Sequence, residues 1–503
     1  IDQIGLKFNN GKVTFPEPMV RVYEKFQEAG LLPFRIRRDH GGLGLPETVV
    51  ALATEILTRG DTSFAMTLGL QNLGSVIERY GNPSHMPLVE EIARGNLMGA
   101  MALTEPNYGS DLRNIQTRAE KQADGSYRIT GTKRFISQGC GFKDRDAVIL
   151  TLARTGKPGS GARGLSFFLV KSSDVRIEKI EHKLGILCSP TCEVVYEDSY
   201  AELIGEEGLG LTRYAMGMMN GARISVGSQG AGIGTAAYYE SLKYAREREQ
   251  FGKPIIEIPA VRKILDRMER EVAAMRLLHL EAGLAIDMYL HRTERLEKRG
   301  LPDREIRSDE TLRSWDRLAT LFTPMTKFYN SEMGCVLASD ALQIHGGSGY
   351  TEEYDVARIF RDSRINPVYE GTTQLQVVAA IGGVTAGMAP SGYFRQYIEG
   401  EFKKYSPAAS IQKLYEIFNS ALDEYKSIAD EVKKDTVAYE MVEIAVRFFN
   451  SLLMDRAIHR LEGSAREKRQ ALSVAYNVDS YALLCANHEK IKAARRGPLW
   501  FAV

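Results

Sequence analysis

The sequence predicts an α+β protein, mostly α, with an N-terminal helical domain, a middle β domain, a C-terminal helical bundle and a helical extension. Three observations predict it. Apolar residues at helical spacing, broken by Gly and Pro, run through the first hundred residues. Short β-branched and aromatic runs separated by turn residues replace them near residue 100. Long stretches of helical period return after Gly210. The length agrees, since 503 residues at about 100–200 per domain give three or four units. A composition of 44% hydrophobic and 26% charged residues is that of packed cores rather than of disorder.

In chain order, Val20–Leu32 and Thr48–Thr58 show helical spacing, with the glycine-rich loop Arg38-Asp39-His40-Gly41-Gly42-Leu43-Gly44 between them. Tyr127–Thr130, Ala147–Ala153, Ser166–Val170 and Cys192–Tyr196 read as strands between turns such as Ala123-Asp124-Gly125-Ser126. Leu211–Arg246, Pro259–His291 and Ser314–His345 are long enough for the major helices of a bundle. The charged segment His291–Asp309, with Gly300-Leu301-Pro302, is expected to be a solvated loop inserted in that bundle. Beyond Pro390-Ser391-Gly392, Ile411–Val432 and Val437–Leu461 have amphipathic helical spacing. The boundaries are therefore expected at 1–99, 100–208, 209–385 and 393–503.

The charge is nearly balanced, with 65 Lys and Arg against 64 Asp and Glu. That argues against a nucleic-acid binder, which shows a basic stripe, and requires any anionic ligand to be held by local groups. Five scattered cysteines (Cys140, Cys188, Cys192, Cys335, Cys485) do not make a disulfide framework and suit a reducing compartment. Cys188 and Cys192 lie close, but no second Cys or His pair sits at zinc spacing, so no metal is expected. No signal peptide is visible, and no apolar run approaches the roughly 20 residues of a membrane span.

Four blocks carry the chemistry. The first is Met101-Ala102-Leu103-Thr104-Glu105-Pro106-Asn107-Tyr108-Gly109-Ser110-Asp111, and the second is Lys133-Arg134-Phe135-Ile136-Ser137-Gln138-Gly139. The third is Arg246-Glu247-Arg248-Glu249-Gln250-Phe251-Gly252-Lys253-Pro254. The fourth joins Gln343-Ile344-His345-Gly346-Gly347-Ser348-Gly349-Tyr350 to Val368-Tyr369-Glu370-Gly371-Thr372-Thr373-Gln374. Singly they are ordinary: a turn cap, a strand, a solvated helix end, a glycine pair and a capping glutamate.

Together, in this order and spacing, they resemble the acyl-CoA dehydrogenase family from about residue 30 to residue 383. Ile180-Glu181-His182-Lys183-Leu184-Gly185, Ser189-Pro190-Thr191-Cys192 and the C-terminal extension look most like the long-form branch containing methylmercaptopropionyl-CoA dehydrogenases. The resemblance implies a β-barrel-like middle domain, a four-helix bundle and FAD as cofactor. It also implies dehydrogenation of an acyl-CoA thioester to the trans-2-enoyl-CoA, with a carboxylate taking the α-proton and flavin N5 the β-hydride.

By that resemblance Glu370 is the base. Burial beside an acyl chain would raise its pKa and strengthen it. Some relatives carry the base one residue before Arg223, where this chain has Ala222, which cannot take a proton. The implied flavin contacts are Leu103, Thr104 and Ser110, then Phe135, Ile136 and Ser137. Phe135 and Ser137 depart from the commoner Trp and Thr but keep an aromatic face and a hydroxyl. Arg248 and Phe251 match positions that meet the diphosphate and adenine, a guanidinium being suited to paired phosphate oxygens. Ile258-Pro259 stands where relatives often have a further Gln. Gln343, Gly346 and Gly347 match a turn on FAD across a subunit interface, and Thr372 and Gln374 match flavin contacts. Ser110, Asn220, Arg223, Tyr369 and Gly371 are implied substrate contacts, Asn220 replacing a family Asp. His345 is read as structural. Phe64 falls where enzymes of dicarboxylyl thioesters place a carboxylate-binding Arg.

The resemblance further implies an electron-transferring flavoprotein as electron acceptor, and a homodimer or dimer of dimers. It places the chain in bacterial cytoplasm or mitochondrial matrix as a soluble protein, the extension being the segment that could meet a membrane. An acyl-CoA oxidase would share nearly all these residues. A DNA-binding flavoprotein relative is the rival from another class, opposed by the balanced charge.

Overall fold

A computed structural model of the chain describes residues 1–497. It divides into two compact units, Ile1–Ser225 and a second that begins at Val226.

The first unit opens on a hairpin, β1 (Lys7–Asn9) and β2 (Lys12–Thr14), that the sequence reading missed because each strand is only three residues long. Five helices follow: α1 (Glu17–Glu28), α2 (Glu47–Gly60), α3 (Thr62–Leu70), α4 (Gly74–Tyr80) and α5 (Met86–Ala93). α1 begins after Pro16, with Glu17 and Pro18 in its first turn, where a negative charge and a missing N–H are both tolerated. It buries Met19, Val20 and Tyr23. Asp61 caps α3 by accepting from Phe64 N at 2.9 Å.

Seven strands make the middle sheet: β3 (Met98–Ala102), β4 (Arg118–Lys121), β5 (Tyr127–Ser137), β6 (Ala147–Arg154), β7 (Leu165–Lys171), β8 (Arg176–Ile180) and β9 (Thr191–Ile204). β4, β5, β9, β7 and β6 pair in a ring, closed where Arg118 of β4 faces Arg154 of β6. The middle domain is thus barrel-like as expected, with β3 added beside β6 and β8 beside β9. Every residue of β6 is buried. Ala147, Ile149 and Ala153 enter one core while Val148, Leu150 and Leu152 enter another. Two apolar environments, one per strand face, explain why this run is continuously apolar rather than alternating.

α6 (Met216–Glu247) begins in the first unit and passes Ser225 into the second. There it joins α7 (Pro259–Lys298), α9 (Glu310–His345) and α11 (Thr373–Gly387) in the four-helix bundle. A Cβ on Gly230 of α6 would lie 2.3 Å from the Asn330 carbonyl oxygen, so bare backbone lets α6 and α9 approach. Between them run the short hairpin β10 (Glu249–Gln250) and β11 (Lys253–Pro254), α8 (Asp303–Ser308) and α10 (Asp355–Ser363). The expected solvated loop at His291–Asp309 is a correction: α7 continues to Lys298 and α8 follows directly. Leu296, Ile306 and Leu312 make a small core of their own there, and Arg292 pairs with Asp309 at 3.0 Å. The charges masked this apolar triplet.

The extension comprises α12 (Tyr393–Tyr405), α13 (Ala409–Lys426), α14 (Glu431–Thr436), α15 (Ala438–Ile458) and α16 (Gly463–Arg496). The reading of one helix over Ile411–Val432 is broken at Asp430, which caps α14. A buried polar cluster fastens the extension to the bundle. Arg447 of α15 donates to Glu271 of α7 at 2.8 Å, Tyr329 of α9 donates to the same carboxylate, and Tyr329 meets Tyr476 of α16 at 2.8 Å. Among the described residues no helix is long and apolar enough to cross a membrane, and no three or more His, Cys, Asp or Glu side chains come together as a metal site would need.

Candidate active site

The first unit brings two of the sequence blocks together. Strand β3 delivers Leu103 and Thr104 beside the end of β5, where Arg134 N donates to the Thr104 carbonyl at 2.9 Å. Lys133 is fully buried, and its Nζ donates to the Leu103 carbonyl at 2.9 Å and to Glu105 Oε1 at 3.0 Å. Glu105 also accepts from the N–H groups of Gln116 and Thr117, at 2.6 and 2.9 Å. Burial pushes the Lys133 ammonium down to about 8, with Glu105 opposing. Burial alone would raise the Glu105 carboxyl, but Lys133 and the two N–H groups outweigh it and hold it below its ordinary value. Lys133 and Glu105 were visible inside the blocks yet were not singled out, because a charged residue in a strand or turn gives no sign that it will be buried.

Beyond Lys133 the register of β5 on β9 shifts, and Phe135 adopts a left-handed φ of 62°. Its ring is 55% exposed, with the Arg134 guanidinium 4.8 Å from its centre. Ser137 and Thr104 are half-buried. Leu103 and Ile136 are buried in the cores, so they can offer a ligand backbone rather than side chain. Ser110 lies exposed in the loop after Tyr108. Asn220 and Arg223 pair along α6 at 3.3 Å, Asn220 Oδ1 accepting. Arg35, which the sequence reading missed, reaches the same stretch of helix from its loop. It donates to Glu47, to the Gly221 carbonyl at 3.5 Å and to Ser225 Oγ at 3.4 Å. Phe64 is buried edge-on to Phe26, their centres 5.4 Å apart, and offers no cation.

In the second unit, Arg248 and Phe251 sit on the β10–β11 hairpin. Phe251 is the tip, 92% exposed at φ 55°, and Arg248 is exposed. Gln343, Gly346 and Gly347 are exposed at the end of α9, where Gly346 ends the helix at φ 60°. His345 is structural in its packing: its Nδ1 is 2.8 Å from the Ala341 carbonyl, and its ring stacks on Tyr244 at 4.2 Å.

Tyr369, Glu370, Gly371 and Thr372 form one tight turn into α11. Glu370 has φ 55° and Gly371 φ 91°, both left-handed. Thr372 caps the helix, accepting from Leu375 N at 3.4 Å, and Gln374 is exposed in its first turn. Tyr369 donates to Gln229, and burial followed by the Glu370 charge pushes its phenol well above the usual range. Gln376, also missed, donates from Nε2 to the carbonyls of Glu370 and Gly371, at 3.2 and 2.9 Å.

The donor chemistry suits FAD. In the first unit, hydroxyls and backbone groups at 103–104 and 137 have the chemistry a polar ring edge needs and Phe135 offers an aromatic face; in the second, the exposed Arg248 has the paired donors a diphosphate needs.

Comparisons with known proteins agree. Profiles of the acyl-CoA dehydrogenase N-terminal, middle and C-terminal domains match residues 8–86, 100–199, and 210–295 with 310–381. The chain is 35% identical over 437 residues to 3-methylmercaptopropionyl-CoA dehydrogenase of Ruegeria pomeroyi, covering 81% of this chain and 71% of that one. The structure of a Bacillus anthracis acyl-CoA dehydrogenase complexed with FAD covers 95% of this chain and 84% of its own, with a TM-score of 0.79. At 23% identity it speaks for the fold, extension included. A solved chain described as the electron transferring flavoprotein of Acidaminococcus fermentans is 30% identical with a TM-score of 0.62, covering 72% of this chain and 88% of that one. The chain belongs to the acyl-CoA dehydrogenase family. It is an FAD-dependent oxidoreductase acting on acyl-CoA thioesters.

Proposed function

We propose that Glu370 removes the α-proton of the bound thioester, generating the trans-2-enoyl-CoA. The observation that carries this is the Glu370 backbone. A non-glycine residue at φ 55°, followed by Gly371 at 91°, is held in a costly conformation at the mouth of a helix. A turn of this kind, with Gln376 on its carbonyls and Tyr369 bound to Gln229 beside it, would set the direction in which one carboxylate leaves the backbone. Bound FAD supplies the acceptor for the β-hydride. The chain's own part is to hold it and orient the substrate. Leu103, Thr104, Ser110, Phe135, Ile136, Ser137, Thr372 and Gln374 would hold the ring side, and Arg248, Phe251, Gln343, Gly346 and Gly347 the diphosphate and adenine side. Asn220 and Arg223, with Ser110, Tyr369 and Gly371, would contact the thioester and its CoA. A backbone N–H at Glu370 aimed at the thioester carbonyl would stabilise charge developing on that oxygen.

The relative from Ruegeria pomeroyi supports 3-methylmercaptopropionyl-CoA as the first substrate to test. The likeness to the Acidaminococcus fermentans chain supports an electron-transferring flavoprotein as acceptor. The exposure of two large aromatic rings, Phe251 at 92% and Tyr350 at 90%, supports a second copy covering them, in a homodimer or dimer of dimers. The test is anaerobic mixing with saturated acyl-CoAs. The flavin should bleach with at least one of them, and Glu370→Gln should retain FAD and fail to bleach. Normal bleaching in that variant would refute the assignment.

A further inference from the structure

We propose that Gln376 is a positioning residue for the base: its side-chain amide sets the backbone of Glu370 and Gly371, and through it the aim of the Glu370 carboxylate. This rests on Glu370 being the base.

Gln376 lies one turn inside α11, and helical side chains lean toward the N-terminus of their helix. Its amide therefore runs back past the cap to the turn that precedes it. Nε2 donates to the Glu370 carbonyl at 3.2 Å and to the Gly371 carbonyl at 2.9 Å. Both partners are acceptors only, which fixes the amide orientation with the nitrogen toward the turn. Gln376 is fully buried, so neither bond competes with solvent. The two residues it binds are the two left-handed ones, at φ 55° and 91°. A Cβ on Gly371 would lie 2.8 Å from Nε2, so the glycine also makes room for this amide. A single donor shared by two successive carbonyls is a bracket across the unfavourable part of the turn. Its loss removes a restraint on the left-handed turn, and relaxation of Glu370 toward a negative φ would rotate its Cα–Cβ bond away from its present direction.

The test uses holoenzyme with Gln376→Met, which keeps side-chain length and burial but removes the donor. The probe is an α-deuterated 3-thia-acyl-CoA, which has no hydride to give, so loss of its deuterium to water reports the base alone. Misplacing a reacting group by about 1 Å costs on the order of 100-fold. Deuterium wash-out and kcat should both fall by roughly that factor, with KM moving less than about threefold, by the same reasoning that the contact is not with substrate. FAD content and the visible spectrum should match wild type. Wash-out within about twofold of wild type in a FAD-loaded variant overturns the proposal.

If Gln376→Met does not fold, Gln376→Glu decides. Its neutral carboxyl can donate to one carbonyl, and its ionised form to neither, so wash-out should recover as pH falls while wild type slows. A pH profile parallel to wild type overturns the proposal. Glu370→Gln separates the two ideas. Wash-out surviving there removes the base assignment itself; wash-out lost there but normal in Gln376→Met removes only the role of Gln376.

Discussion

Replacing Lys133 by Met tests whether the buried Lys133–Glu105 pair holds the Leu103–Thr104 segment against the end of β5. Lys133 is fully buried, with Nζ on the Leu103 carbonyl and on Glu105. Removing the ammonium leaves a carboxylate that is 5% exposed and still accepts from the N–H groups of Gln116 and Thr117. Breaking a buried pair by deleting one partner costs about 3–5 kcal/mol. The two retained N–H bonds place this case near the lower end, about 3 kcal/mol. Glu105→Gln should cost less, because a lysine already depressed to about 8 can shed its proton when its counter-charge is gone. The double variant removes both charges, so it should be less destabilised than the sum of the singles, by about 0.5–3 kcal/mol. The assay is thermal unfolding of the holoenzyme followed by circular dichroism and flavin fluorescence. In a unit of this size each kcal/mol moves Tm by about 2–4 °C, so Lys133→Met should lose about 6–12 °C. The visible flavin spectrum should shift as the Leu103 carbonyl loses its donor. A Tm within about 2 °C of wild type, or strict additivity in the double variant, would refute the reasoning.

Three further outcomes follow from the same geometry. The folded Glu105 carboxyl lies below its ordinary value of 4.5, so the stability it contributes is complete above that pH. It is lost as pH falls through the lower folded value, and Glu105→Gln should flatten that acid limb in an unfolding series. Arg447→Met removes the counter-charge of Glu271, which is 2% exposed and keeps the Tyr329 hydroxyl, and should cost about 3–5 kcal/mol, with hydrogen exchange rising first in α15 and α16. Arg248→Ala removes an exposed guanidinium, so the fold should survive, while FAD affinity measured by dialysis falls about 10- to 100-fold for the loss of a charge-assisted contact.

The layering of the fold was legible in the sequence, because long helices and turn-bounded strands carry their period within a few residues. Pro259–His291 and Ser314–His345 sit inside α7 and α9 as observed, and Ala147–Ala153 is β6 almost to the residue. What failed was whatever depends on distant partners. β3 and β4 are strands only because β6 and β5 lie beside them. α16 has polar residues nearly all round, and Tyr476, Leu484 and Ile491, among the residues it buries, disclose its inward face. α8 is charged on its surface and is held by Ile306. The site divides the same way. Blocks of contiguous residues could be matched, whereas Lys133, Glu105, Arg35 and Gln376 act through side chains whose burial and partners follow from folding.

The backbone ties these two levels together. Among the described residues nine non-glycine positions have positive φ, and three of them, Phe135, Phe251 and Glu370, were singled out from sequence for their chemistry. A left-handed residue costs roughly 1–2 kcal/mol, more for bulky side chains than for the Asn or Asp usually found there. Each of the three has an identifiable restraint. The register shift of β5 on β9 turns Phe135 outward. Gly252, at φ 75°, completes the turn that lifts Phe251. The amide of Gln376 brackets Glu370. A helix or an unbroken strand would have placed these side chains along its own surface. Leaving the regular backbone at single residues points an aromatic ring, a hairpin tip and a carboxylate in directions that no regular element reaches. The motif letters therefore mark where strain is spent, and the residues that support it lie one layer deeper, where sequence alone gives the least warning.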